Sequence, residues 1–186
     1  HQLGKPVEDV SPADFEDAES FKYASLVATS LDAGLRPAEV GRARVGWVDT
    51  SNAVLRIPEE QSTKNRENWV VSLRESTADL LQRWLRERDL YDKYEQSDRL
   101  WLTRHKNPYS SGALKYVIET LAEAAGIDTE NRSLSWYSIR HSVGTYMARE
   151  EGLAAAQSQL RHTSAETTMK YDQAPVEDRR DALNRM

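Results

Sequence analysis

Phe21, Ala24, Val27, Ala28 and Leu31 recur three and four residues apart and stop at Gly34, a helical pattern that Ser11 as N-cap and Pro12 as first helical residue open, leaving room for one or two helices. Pro37 restarts a short helix through about residue 43, which places Arg36 at a helix start, where backbone N–H groups favour anions. Three short runs rich in β-branched and aromatic residues follow, at 45–48, 53–57 and 69–73, and they predict a small antiparallel sheet with Lys64 in the polar connection before its last strand. Leu80, Leu81, Trp84, Leu85, Tyr91 and Tyr94 then form one apolar stripe, predicting a charged helix over about 76–95 that turns this stripe to the core. Leu100-Trp101-Leu102 reads as a buried segment and Asn107-Pro108 as a turn. Leu114, Val117, Ile118, Leu121 and Ala125 predict an amphipathic helix ending at Gly126, and further helices are expected over 135–151, 154–160 and 165–171, with a polar tail helix after Pro175. The sum is one mainly α domain with a small three-stranded antiparallel sheet, an α+β fold.

Composition narrows the chemistry. The 186 residues suffice for one domain with a real core, and cysteine is absent, so neither a disulfide framework nor a thiolate zinc site is available. His1, His105, His141 and His162 lack metal-ligand spacing, so neither a metal nor another cofactor is expected. No apolar run approaches the roughly 20 residues of a membrane span and no signal peptide is seen, which predicts a cytoplasmic protein. The chain starts at His1, which suggests a piece of a longer protein. Net charge is -5, the wrong sign for a simple nucleic-acid binder. Its distribution softens that objection: residues 1–32 hold seven acids and two bases, whereas residues 36–106 hold fourteen bases and twelve acids. Seven lysines against eighteen arginines in an acidic chain suggest a source adapted to high salt.

Taken singly, the candidate residues have bland explanations. Arg36 could pair with Glu39 three residues on, Tyr137 and Arg140 share a helix side, and His141 points about 100° from Arg140, as a core-supporting imidazole would. His162 and Tyr171 could be packing residues, and Lys64 a loop lysine. Their joint order is more specific. Two guanidiniums, an imidazole, an ammonium and a phenol are the parts needed to attack a phosphodiester: permanent charges on the non-bridging oxygens, a proton donor for the leaving oxygen and a nucleophile.

Ala33-Gly34-Leu35-Arg36-Pro37-Ala38-Glu39-Val40, Ser62-Thr63-Lys64-Asn65, Tyr137-Ser138-Ile139-Arg140-His141, and Leu160-Arg161-His162-Thr163 through Tyr171 together resemble the catalytic domain of the tyrosine recombinases, the phage integrase family. The resemblance runs from about residue 11 to Tyr171. It implies a recombinase catalytic domain over 11–186, with 1–10 as linker or disordered residues and the family's amino-terminal DNA-clasping domain lying outside this chain. It further implies a catalytic set of Arg36, Lys64, Tyr137, Arg140, His162 and Tyr171. Double-stranded DNA is the implied partner, with a homo-oligomer, a tetramer, on DNA and a monomer when free. Metal-independent strand cleavage and rejoining through a 3′-phosphotyrosine is the implied reaction. Two positions depart from the family pattern: Tyr137 stands where His or Lys is usual, and Arg161 stands where a glycine is common, altering the turn or adding a phosphate contact. A degenerate DNA-binding module of the same fold, a resolvase or a type IB topoisomerase-like enzyme are the alternatives.

Overall fold

The structure, a computed structural model, describes residues 20–58, 68–129, 134–162, 164–169 and 171. The segments around Ser11 and Lys64 and the tail after Pro175, which the sequence reading used, lie outside the described residues.

Helix α1 (Lys22–Ala33) ends where predicted, because Gly34 adopts φ 56° and ψ 43° and returns its N–H to the Ser30 carbonyl. Helix α2 (Pro37–Arg42) begins at once, with Pro37 in the first helical position and the Glu39 carboxylate accepting the Arg36 backbone N–H at 2.7 Å. Strands β1 (Val48–Asp49), β2 (Val54–Ile57) and β3 (Trp69–Ser72) form the expected antiparallel sheet in the order β1-β2-β3, with Val48 opposite Leu55 and Leu55 opposite Val71. The first strand is shorter than its composition suggests. Residues Val45–Trp47 form a 3₁₀ turn that swings Trp47 into the core, leaving two residues to pair with β2.

Helix α3 (Glu75–Arg88) is also shorter than expected. Its apolar stripe continues to Tyr94, but Leu90 is 82% exposed and the chain breaks there; a separate 3₁₀ turn at Asp92–Tyr94 brings Tyr94 back inside, while Tyr91 stays exposed. Arg88 explains the break. Its guanidinium leaves the helix face to bond the Ser97 and Arg99 carbonyls and lies 4.4 Å from the Tyr94 ring centre, tying the returning chain to the helix end. Helices α4 (Ser111–Ala124), α5 (Trp136–Glu150), α6 (Leu153–Leu160) and α7 (Ala165–Met169) complete the fold. The last of these ends two residues before Tyr171, which stands in the turn beyond it.

The main core lies between α1, the sheet, α3 and α4, and gathers Trp47, Trp84 and Trp101 with Leu26, Leu55, Leu81 and Leu100. Two of its indoles are bonded: Trp84 donates to the Leu100 carbonyl at 2.9 Å and Trp101 to Ser25 Oγ at 3.1 Å. Helix α5 enters this core with Trp136 and Ile139, packs on α1 and α6, and so carries its next turn to the ends of α1 and α6.

Candidate active site

Four segments distant in sequence meet at the carboxyl end of α1. Arg140, on α5 and 5% exposed, donates from Nη1 to the Gly34 carbonyl at 2.6 Å and from Nη2 to the Leu160 carbonyl at 2.5 Å. Both acceptors sit at helix ends, where carbonyls lack intrahelical partners and the helix dipole is negative, so a guanidinium satisfies each twice over. Burial, reinforced by repulsion from Arg36 and Arg161, lowers Arg140 to about 9, which leaves it charged at neutral pH. Arg36, at the N-cap of α2, holds Glu39 from Nη1 at 2.9 Å. The pairing with Glu39 is therefore present, and it leaves Arg36 near enough to Arg140 for the two charges to repel.

Arg161 changes meaning in the structure. It adopts φ 56° and ψ 51° as C-cap of α6, the left-handed turn in which glycine is preferred and an L side chain costs roughly 1–2 kcal/mol. Its side chain, however, has no exposure to offer a phosphate: it lies fully buried with Nη2 on Glu39 Oε2 at 2.6 Å and Nη1 on the Ala33 carbonyl at 2.6 Å. Neither of the two expectations for this position is met: the backbone keeps the left-handed turn that glycine favours, and the side chain faces inward. Burial alone would raise the Glu39 carboxyl, but Arg161 and Arg36 together hold it below its ordinary value.

Tyr171 packs 8% exposed against α5. His162 stacks on its ring with centroids 6.1 Å apart and planes 5° from parallel, and His162 Nδ1 is bonded to Thr168 Oγ1 at 2.9 Å, which fixes the imidazole. Gly144 lies directly beneath the phenol, so that a Cβ there would come within 2.4 Å of Tyr171 Cζ. Burial pushes the phenol above its usual range while the charges of Arg140 and Arg36 pull it back down. The cations thus act in the direction expected from the sequence, though in the free protein desolvation outweighs them. Tyr137 lies one turn before Arg140 on α5 and is 50% exposed, and Lys64 is outside the described residues. A cavity of about 560 Å³ is lined by Leu31, Val143, Tyr146 and Met147 and by none of the predicted catalytic residues.

Residues 8–177 match the model of the phage integrase family. The chain belongs to that family.

A comparison with curated protein sequences finds no match. Among solved structures, this phage integrase family chain is similar to XerA recombinase, with TM-score 0.74 and 20% identity over 89% of this chain and 58% of that one. It is also similar to XerH site-specific recombinase bound to its difH substrate in a pre-cleavage complex, with TM-score 0.68 and 21% identity over 92% and 47%. A third is the Tn1549 transposon integrase in complex with transposon right end DNA, with TM-score 0.69 and 16% identity over 98% and 66%. These likenesses are of fold, and the chain spans roughly half the length of the first two.

Within this integrase fold, several residues around the site escaped the sequence reading. His141 was expected to support the core, yet it is exposed, with Nδ1 3.5 Å from the Tyr171 hydroxyl and its ring edge-on to the phenol. Turning 100° from Arg140 took it toward Tyr171, which crosses α5 one turn later. Gly144 carried a legible signal. A glycine inside a helix costs about 1 kcal/mol relative to alanine, and its place four residues after Arg140 on α5 marks a close approach. Among the described residues, no group of three or more His, Cys, Asp or Glu could hold a metal, and no helix is long and apolar enough to cross a membrane.

Proposed function

We propose that this chain is the catalytic part of a site-specific DNA recombinase that cuts and rejoins strands through a covalent 3′-phosphotyrosine, with double-stranded DNA as substrate. The observation that carries the reading is the placement of the Tyr171 phenol, stacked on His162 and within the electrostatic reach of Arg140 and Arg36. In support, this family's structural relatives include recombinases captured on their own DNA sites.

The step balances as follows. The Tyr171 oxygen attacks phosphorus and its proton passes to His141 Nδ1, the imidazole nitrogen 3.5 Å away. The bond from phosphorus to the 5′ oxygen breaks, and Lys64 supplies the proton that leaves with it as a 5′-hydroxyl. Arg36 and Arg140 meet the charge that grows on the non-bridging oxygens, a role for which an always-charged fork suits better than an ammonium. His162 holds the phenol's plane and reaches the phosphate, and Tyr137 completes the set as a neighbouring hydroxyl. A 5′-hydroxyl from a second strand reverses the step and exchanges strands without loss of bond energy. Exchange needs two cleaved sites, so the reading includes a tetramer on DNA, a monomer when free and, in the cell, a place in the cytoplasm.

The test is incubation with a nicked suicide substrate in EDTA. A protein–DNA adduct should survive denaturation and map to Tyr171, and Tyr171→Phe should abolish it while DNA affinity changes by less than about twofold, because only the attacking oxygen is lost. An adduct that persists in Tyr171→Phe, or that forms only with Mg²⁺, would overturn the mechanism. A folded chain that binds DNA and forms no adduct would favour the degenerate DNA-binding module.

A further inference from the structure

Arg161 is a fully buried cation in a turn built for glycine, and its contacts explain why it is there. Its Nη2 shares the Glu39 carboxylate with Arg36: Oε2 takes Arg161 at 2.6 Å and the Arg36 backbone N–H at 2.7 Å, and Oε1 takes the Arg36 guanidinium at 2.9 Å. Its Nη1 reaches the Ala33 carbonyl at 2.6 Å and the Gln159 carbonyl at 3.0 Å, and Nη2 also lies 3.4 Å from the Gly34 carbonyl, the one that Arg140 grips. The other Arg140 acceptor, the Leu160 carbonyl, belongs to the peptide that opens Arg161's own left-handed turn. One side chain therefore touches the supports of both guanidiniums.

We infer that Arg161 is a positioning residue for the strand-cleavage step, holding Arg36 through Glu39 and Arg140 through the joined ends of α1 and α6, and cancelling the Glu39 charge so that it does not oppose the phosphate. The inference rests on the proposed recombinase reading. Charge makes the argument specific. Glu39 is 0% exposed and sits beside the clamp, so without Arg161 its carboxylate would have Arg36 as its remaining partner. Arg36 would then be drawn onto Glu39 and away from the substrate oxygens, and the field at Tyr171 would lose positive charge. A glycine at 161 would suit the backbone and remove this compensation. A phosphate contact at this position would instead require an exposed guanidinium.

The experiment compares the 186-residue chain with Arg161→Met, Arg161→Lys and the double variant Arg161→Met/Glu39→Gln in single-turnover cleavage, in DNA binding across a salt series, and in ¹H–¹⁵N spectra of the arginine Nε–Hε groups without DNA. Arg161→Met should cleave at least about tenfold more slowly, with unchanged DNA affinity and salt slope, and should shift the Arg36 and Arg140 Nε–Hε signals. The double variant should cleave at least about fivefold faster than Arg161→Met, because the uncompensated carboxylate has gone with its partner. Arg161→Lys should fall between wild type and Arg161→Met, keeping the charge and losing the fork. Should Arg161→Met prove unfolded, the double variant and Arg161→Lys carry the comparison with wild type. A salt slope reduced by about one in Arg161→Met would make Arg161 a phosphate contact and overturn the inference. So would wild-type cleavage by Arg161→Met, no gain in the double variant, or arginine signals unmoved. If the wild-type chain forms no adduct, the recombinase reading fails by itself, and the Nε–Hε signals still decide whether Arg161 positions the two arginines.

Discussion

Between α1, the sheet, α3 and α4 the interior is aliphatic and aromatic, with Trp47, Trp84, Trp101 and Tyr94 packed among leucines. Between α5, α6 and α7 the apolar cluster shrinks to Val143, Leu160 and Tyr171, backed by Met147 and Ala148, and the space beside it is filled by Arg140, Arg161 and Glu39. The first region is held by area removed from water, which is non-directional and spread over many side chains. The second is held by a few charge-assisted bonds joining residues 106, 122 and 128 positions apart. Buried guanidiniums on carbonyls add little net stability, since desolvation offsets most of their attraction. What they add is position. A core can lose a methylene and relax, whereas a clamp for a transition state fails when one nitrogen moves by an ångström.

The sharpest way to break the contrast is to delete one large side chain from each region. Trp84→Ala should cost about 3–5 kcal/mol and lower the unfolding midpoint of the whole molecule. Arg140→Ala should instead slow cleavage at least about 100-fold while increasing hydrogen exchange chiefly at the α1, α5 and α6 ends, where its two carbonyls lose their donor. Thermal melts and exchange mapping check both halves, and a uniform loss of protection in Arg140→Ala would mean that the two regions unfold as one.

A single methyl probes the boundary between them. Gly144→Ala places a Cβ within 2.4 Å of Tyr171 Cζ, so the ring must move away from α5. Cleavage should fall by about tenfold or more, as for a nucleophile displaced by about an ångström, while the helix itself gains slightly from alanine. Unaltered cleavage with a raised melting temperature would show that the phenol does not need this seat.

The smallest effect is expected at the rim. Tyr137→Phe removes a hydroxyl from a half-exposed ring, so stability should stay within about 0.5 kcal/mol and cleavage should drop by less than about tenfold. A loss approaching that of Arg140→Ala in the same assay would move Tyr137 from the rim into direct contact with the reacting groups.

The two regions were unequally legible for the same physical reason. Periodicity located α1, α4 and α5 and the sheet because hydrophobic burial imposes a repeat on the chain, and the break after Arg88 was hidden because Tyr94 keeps that repeat from a separate turn. Gly34 and Pro37 announced the ends of α1 and α2 by backbone chemistry alone. At the site, the joint order of residue types and its likeness to the family's motifs named the candidates Arg36, Lys64, Tyr137, Arg140, His162 and Tyr171, whereas each residue type taken singly did not.

Direction was another matter. Whether Arg161 faces solvent or Glu39, whether His141 supports the core or Tyr171, and what lies over Gly144 depend on where α6 and the turn after α7 cross α5. Those crossings are set by packing between segments more than 100 residues apart for α1 and α6. The amino-acid sequence by itself determined the elements, the family and the chemical inventory, because these follow from local spacing and side-chain type. Tertiary structure alone decided which charges face each other, because a buried ion pair forms only after the apolar faces have brought its two halves together.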